Sequence, residues 1–69
     1  MRSKIIGKNI KKYRIEKGYS QKELAKKINR AYITIRTYEC GNVAPSPYTM
    51  MNIAEVLGVS VSDLLSGVI

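Results

Sequence analysis

The sequence of 69 residues contains no histidine, no tryptophan and no phenylalanine, and it has a single cysteine. A chain with one cysteine and no histidine can form neither an internal disulfide nor any of the common zinc sites. It also lacks the imidazole on which much acid–base and thiol catalysis depends. The five acidic residues are scattered along the chain. We therefore expect a protein that is not an enzyme and that uses no cofactor or metal.

Long apolar runs are absent as well. No stretch approaches the length of a membrane span, and the first residues show no signal-peptide pattern. These features predict a protein of the reducing cytoplasm that has no membrane as a partner. A chain of this length has room for one small domain. Residues 1–69 are thus expected to form a single unit.

Positive charge is missing from half of the chain. Residues 37–69 contain no lysine or arginine and carry three acids, for a net charge of −3. Residues 1–36 hold all twelve cations against two acids, for a net charge of +10. This segregation predicts one surface that binds a polyanion and a second surface, without cations, that has a different role. Nucleic acid fits better than a membrane surface, because no segment is a basic helix with a broad apolar face.

What the sequence does contain is a series of helix start and stop signals. Three serines are placed as N-caps, two of them in capping boxes, and three glycines are placed where helices should end. The serines are Ser20, Ser46 and Ser60, and the glycines are Gly18, Gly41 and Gly58. Asn29 suits a tight turn at positive φ.

Apolar residues recur at helical spacing between these signals. The predicted inward-facing residues are Ile6, Ile10, Tyr13, Leu24, Ala25, Ile28, Ala31, Thr34, Ile35, Tyr38, Met50, Ile53, Ala54, Leu57, Leu64 and Leu65. No segment alternates as a strand does. The pattern predicts an all-α domain, a compact bundle of about five short helices.

The third predicted helix lies within residues 29–41 and has an unusual outward face. Opposite its inward stripe lie Tyr32, Ile33, Arg36, Thr37 and Cys40. A solvent-facing helix normally carries long charged residues with high helix propensity at such positions. Two interpretations are open: Tyr32 and Ile33 are buried beneath another helix, or the face enters the major groove of DNA. In the groove, arginine binds guanine, and methyl groups pack against thymine.

Helices two and three are joined by a turn of roughly three residues, which is the layout of a helix-turn-helix. In that motif the first helix spans the DNA backbone and the second lies in the groove. Gln21 and Lys22 open helix two, where the free N–H groups and the helix dipole suit a phosphate. This arrangement favours the groove interpretation for helix three.

The stretch GYSQKELAKKINRAYITIRTYECG resembles the helix-turn-helix of the Xre family, the phage-repressor and Cro-like DNA-binding domains. The later stretch PSPYTMMNIAEVLGVSVSDLL resembles the family's fourth and fifth helices. The resemblance implies a lambda-repressor-like fold, with the helix-turn-helix at about 20–39. Helices four and five, at about 46–66, would complete the core and could form a dimer interface. It also implies a sequence-specific transcriptional regulator, expected to be a repressor, that binds a palindromic operator in double-stranded DNA as a homodimer.

The resemblance assigns roles to individual residues. Base contacts fall on Gln21, Tyr32, Ile33, Arg36 and Thr37. Backbone contacts are expected from Ser20, Lys22, Arg30, Asn42 and Lys12. Arg14 and Glu39 match a pair that is salt-bridged in related repressors. We interpret them as a structural ion pair, since a buried charge requires a partner.

The sequence departs from the family pattern in two places. Arg30 and Ala31 stand where an apolar residue and a serine or threonine cap are usual. Helix three should therefore be less well capped, by about 1 kcal/mol, and Arg30 is free to turn toward DNA. The loop NVAPSP, residues 42–47, has no lysine or arginine, although the family often holds phosphates there.

Some assignments stay open at this stage. Val59, Val61, Val68 and Ile69 either close the core or join a dimer interface, and Cys40 is expected to be partly buried. The same fold could serve an antitoxin-like or protein-partner-binding regulator whose DNA binding is autoregulatory. A non-specific nucleic-acid or RNA-binding module would need aromatic rings along one groove, whereas the five tyrosines are spread over several helices.

Overall fold

The computed structural model describes residues 2–68, which form five helices joined by short connections. They are α1 (Arg2–Lys17), α2 (Gln21–Lys27), α3 (Tyr32–Cys40), α4 (Pro47–Leu57) and α5 (Val61–Leu64). No strand occurs in these 67 residues, so the predicted all-α bundle of five short helices is confirmed. Ile69, predicted for the core or an interface, lies outside the described residues.

The centre of the core is shared equally among the helices. Each contributes one side chain with essentially no solvent exposure: Ile10, Leu24, Ile35, Ile53 and Leu64, in chain order. α1 packs against α3, α4 and α5, while α2 packs against α3 and α4. Because all five helices fill one core, the pair α2–α3 depends on the other three helices for its burial.

Four helices end in the same motif. After α1, α2, α3 and α4, a residue at positive φ and the residue following it donate their N–H groups back to the last turn, as in a Schellman motif. Glycine holds the positive-φ position after α1, α3 and α4. Asn29, with φ of 57°, holds it after α2. The predicted stops at Gly18, Gly41 and Gly58 and the predicted turn at Asn29 are all confirmed.

Three helices begin at a serine. Ser20, Ser46 and Ser60 each accept a hydrogen bond from the backbone N–H three residues later, as predicted. In α2 the capping box is complete, because the Ser20 N–H donates to the Glu23 carboxylate at 2.7 Å. That bond holds the pKa of Glu23 below its ordinary value. The capping box therefore stabilises the fold at neutral pH, and this contribution is lost as the pH falls through the pKa of Glu23 in the folded protein.

α3 begins differently. Its N-cap is Ala31, whose backbone is extended (φ −68°, ψ 146°) and whose methyl group cannot accept a hydrogen bond. The prediction that Ala31 faces inward is wrong, because the helix starts one residue later and leaves Ala31 exposed. The inward side of α3 consists of Ile35, which is fully buried, flanked by the half-buried Thr34 and Tyr38.

The end of the chain also differs in part from expectation. Leu64 is fully buried, but Leu65 is 38% exposed, so its predicted inward position is wrong. α5 spans only four residues and Leu65 is already its C-cap, so its side chain leaves the inward face. Val59, Val61 and Val68 pack against the core and are partly buried.

α1 and α3 approach each other at Gly7 without room for a side chain. A β-carbon added to this buried glycine would collide with the Tyr38 carbonyl oxygen and lie 3.0 Å from the Glu39 carbonyl oxygen. Nearby, the Ser3 hydroxyl donates to the Gly41 carbonyl at 2.7 Å. The N-terminal half of α1 thereby fixes the C-terminal end of α3.

This close approach makes Gly7 sensitive to substitution. We expect Gly7→Ala to lower the free energy of unfolding by about 1–3 kcal/mol, since the added carbon meets backbone that cannot rotate away. The loss should appear although alanine favours a helix by about 1 kcal/mol over glycine. Urea denaturation followed by circular dichroism measures it, with the exposed Lys8→Ala in the same helix as control. A Gly7→Ala protein as stable as the wild type would contradict the described packing of α1 on α3.

The missing side-chain cap of α3 means that a substitution there should increase stability. Ala31→Ser supplies a hydroxyl that can accept from the Thr34 N–H, so the free energy of unfolding should rise by about 1 kcal/mol. In a domain of this size that raises the melting temperature by about 4–8 °C. The matched control is Ala44→Ser in the loop before α4, which should change stability by less than about 0.5 kcal/mol. Equal effects of the two substitutions would show that residue 31 is not the N-cap of α3.

Candidate nucleic-acid interface

The outward face of α3 is exposed in the folded domain. Tyr32 and Ile33 are 41% and 56% exposed, so neither is buried beneath another helix. Arg36 follows Tyr32 one turn later, and Thr37 follows Ile33 in the same way. Cys40, at the end of the face, is exposed rather than partly buried as expected, because it precedes the C-cap on the side away from the core.

The outward face of α3 carries few hydrogen-bonding groups. Arg36 makes no salt bridge within residues 2–68, so the five N–H donors of its guanidinium are available. The Thr37 hydroxyl donates its proton to the Ile33 carbonyl at 2.8 Å, which leaves its oxygen as an acceptor. No acidic side chain belongs to the face. Free guanidinium donors, a hydroxyl acceptor and apolar groups are the chemistry that reads base edges in the major groove.

The N-terminus of α2 lies next to this face. The Lys22 ammonium sits over the Tyr32 ring, 5.6 Å from its centroid, at cation–π distance. A residue predicted to contact phosphate and one predicted to contact bases are thus brought together. No periodic pattern indicates this pair in the sequence, since the two residues belong to different helices. The Ser20 hydroxyl accepts from the Glu23 N–H at 3.0 Å and still has its own proton to donate.

A buried ion pair joins α3 to α1. Arg14 of α1 donates to both carboxylate oxygens of Glu39, from Nε at 2.6 Å and from Nη2 at 3.0 Å. The third donor, Nη1, binds the Tyr19 carbonyl in the α1–α2 connection at 2.8 Å. The two side chains are only 10% and 3% exposed. The two residues predicted as an ion pair are therefore in direct two-point contact.

Gln21 extends the same network to α2. Its Nε2 donates to Glu39 Oε1 at 3.0 Å. Because a carboxylate only accepts hydrogen bonds, the amide nitrogen must face Glu39, and this fixes the orientation of the Gln21 amide. Within residues 2–68 its carbonyl oxygen and its second N–H have no hydrogen-bond partner, so both are available to a ligand. The sequence did not reveal this contact, although Gln21 was singled out as a base-contacting residue.

The remaining predicted contact residues are more dispersed. The Arg30 guanidinium donates to the Thr49 hydroxyl at 3.1 Å, which ties it to the first turn of α4. Asn42 is exposed just beyond the end of α3. Lys12 lies over the Tyr13 ring, 5.1 Å from its centroid. It is on the side of α1 nearer to α5, since Asn9 one turn earlier donates to the Leu64 carbonyl.

Other kinds of site find no support in residues 2–68. No group of three or more potential metal ligands occurs among these residues. None of the helices there has the length and apolar character needed to cross a membrane.

Known helix-turn-helix proteins match this chain in both sequence and structure. A helix-turn-helix family model matches residues 10–64. The SPbeta prophage-derived HTH-type transcriptional regulator YonR of Bacillus subtilis (strain 168) is 35% identical over 63 residues, which are 91% of this chain and 58% of that protein. The master regulator for biofilm formation SinR, solved in complex with DNA, superimposes with a TM-score of 0.83 at 42% identity, over 88% of this chain and 98% of that one.

A second group of relatives consists of longer proteins. The multi-protein-binding factor 1 of Yarrowia lipolytica (strain CLIB 122 / E 150) is 43% identical over 54 residues, which are 78% of this chain. The chain spans only 36% of the length of that relative. The family model, by contrast, covers most of the five-helix domain. The chain therefore belongs to the Xre-like helix-turn-helix family of transcriptional regulators.

Proposed function

We propose that this protein is a sequence-specific regulator that binds double-stranded DNA through the major groove, as a homodimer on a palindromic operator, and represses transcription in the cytoplasm. The observation that carries the proposal is the exposed, acid-free face of α3, with an arginine that has no carboxylate partner in residues 2–68. A related domain, SinR, has been solved with DNA bound. The protein carries out no catalytic step in this proposal.

The dimensions of α3 suit this role. Its nine residues span about 13.5 Å, close to the ~12 Å width of the major groove. Bases are contacted by Gln21, Tyr32, Ile33, Arg36 and Thr37, and the DNA backbone by Ser20, Lys22, Arg30, Asn42 and Lys12. In this assignment the helix-turn-helix at about 20–39 supplies most of the DNA contacts, while residues 46–66 complete the core and supply the dimer contact.

Exposed apolar side chains on α4 and at the end of α5 support an association with protein. Tyr48 and Met51 of α4 are 69% and 60% exposed, and Leu65 adds a further exposed apolar group. No cation lies in residues 37–69, so two copies of this half carry only a small net repulsion. A second copy of the chain is the proposed occupant. The second candidate is a regulator that binds a different protein at this surface. It is favoured by the similarity to a protein named for binding several proteins.

Selection from a random duplex library at about 150 mM salt tests the proposed function. Retained sequences should contain inverted repeats whose half-sites lie about one helical turn apart. Retention without a common motif would favour non-specific binding, and a lack of retention would overturn DNA binding and favour the protein-partner candidate.

Arg36→Ala should relax specificity at one position of each half-site. We expect a loss of about 1–3 kcal/mol per half-site on the selected duplex and a much smaller loss on unrelated duplexes, since only base recognition is removed. Fluorescence anisotropy titrations on both kinds of DNA measure the difference. Equal affinities of variant and wild type on the selected duplex would exclude Arg36 from the groove.

Lys22→Ala is the complementary substitution. Because a phosphate contact is independent of sequence, affinity should fall to a similar extent on selected and unrelated duplexes. The slope of log K against log salt should also decrease in magnitude by about one per bound subunit. A loss confined to the selected duplex would instead place Lys22 at a base, so the pair Arg36→Ala and Lys22→Ala separates the two kinds of contact.

A further inference from the structure

The two ends of α3 differ in their supply of positive charge. At the N-terminal end, Lys22 of the neighbouring helix lies beside Tyr32. At the C-terminal end, the chain continues through residues 42–46 to α4 without a lysine or arginine. A helix that lies across a groove about as wide as its own length brings both ends near the phosphates of the two strands. The C-terminal end therefore needs a cation from elsewhere in the fold.

α1 places a lysine at this end. Lys4 packs directly on Gly41, the C-cap of α3: a β-carbon on Gly41 would lie 2.5 Å from Lys4 Cγ and 2.7 Å from Lys4 Cα. The neighbouring Ser3 hydroxyl donates to the Gly41 carbonyl at 2.7 Å, which fixes the start of α1 against the end of α3. Lys4 itself is exposed. Its side chain thus starts beside Gly41, which lies between Cys40 and Asn42 in the chain, where the outward face of α3 ends.

Lys4 does not serve the stability of its own helix. It lies in the first turn of α1, where the helix dipole disfavours a cation, and that turn contains no acidic residue. No carboxylate within residues 2–68 forms a salt bridge with it. A lysine that opposes its helix dipole, lacks a protein partner and rests on the end of α3 is placed to bind an anion outside the domain.

We propose that Lys4 binds a DNA backbone phosphate at the C-terminal end of α3 and replaces the cation that the α3–α4 loop lacks. This inference rests on the proposed function. The groove-bound helix then has one cation at each end, Lys22 and Lys4, one for each DNA strand. Glycine at position 41 permits this contact, since a β-carbon there would collide with Lys4.

The test compares Lys4→Gln with Lys17→Gln on the duplex that the wild type selects. Both substitutions remove one lysine from α1, but the Lys17 ammonium lies beside Gly58, at the turn between α4 and α5. For Lys4→Gln we expect the slope of log K against log salt to fall in magnitude by about 0.9 per bound subunit. The deficit relative to wild type should therefore shrink about 3.5-fold per subunit between 50 and 200 mM salt. Lys17→Gln should keep the wild-type slope.

Both variants should remain folded, with melting temperatures close to that of the wild type, since each lysine interacts with the α1 dipole only weakly. Thermal unfolding measures this and separates loss of a contact from loss of the fold. An unchanged salt slope for Lys4→Gln, or an equal decrease for Lys17→Gln, would overturn the inference while leaving the proposed function intact. Wild-type protein that retains no DNA would overturn both, and it would be recognised before either variant was compared.

Discussion

The ion pair between Arg14 and Glu39 is the interaction on which the placement of α3 depends. Both charges are removed from water, and such a pair is tolerated only when nearly every donor and acceptor is satisfied. Here the carboxylate receives three hydrogen bonds and the guanidinium uses its remaining face on the Tyr19 carbonyl. The network joins α1, the start of α2 and the end of α3. It thereby sets the position of Gln21 relative to the outward face of α3.

The outward face of α3 is where local stability is given up. The N-caps of α2, α4 and α5 are serines, whereas the N-cap of α3 is Ala31, whose side chain makes no capping hydrogen bond. Ile33 is more than half exposed, and no salt bridge within residues 2–68 joins two side chains of α3. The contacts at Gly7, at Gly41 and at the buried ion pair hold α3 in place instead. Departures from local rules that the surrounding fold compensates in this way are typical of functional surfaces.

Much of this organisation could be predicted from the sequence because it is encoded locally. The serine caps, the glycine stops, Asn29 and the spacing of the core residues involve neighbours within one helical turn. The predicted burial was wrong at three positions, Ala31, Cys40 and Leu65, and all three lie at helix ends, where a shift of one residue moves a side chain out of the core. The pairs Lys22–Tyr32 and Gln21–Glu39 and the contact of Lys4 with Gly41 join different helices, so no periodic pattern reveals them.

We propose that Arg36 contacts guanine from the major groove, and methylation interference on the selected duplex tests this contact. Dimethyl sulfate modifies guanine N7 in the major groove and adenine N3 in the minor groove. Methylation of one guanine in each half-site should block the wild-type protein, and the same methylation should have little further effect on Arg36→Ala. Interference at adenines alone, or an identical guanine pattern for both proteins, would contradict groove reading by Arg36.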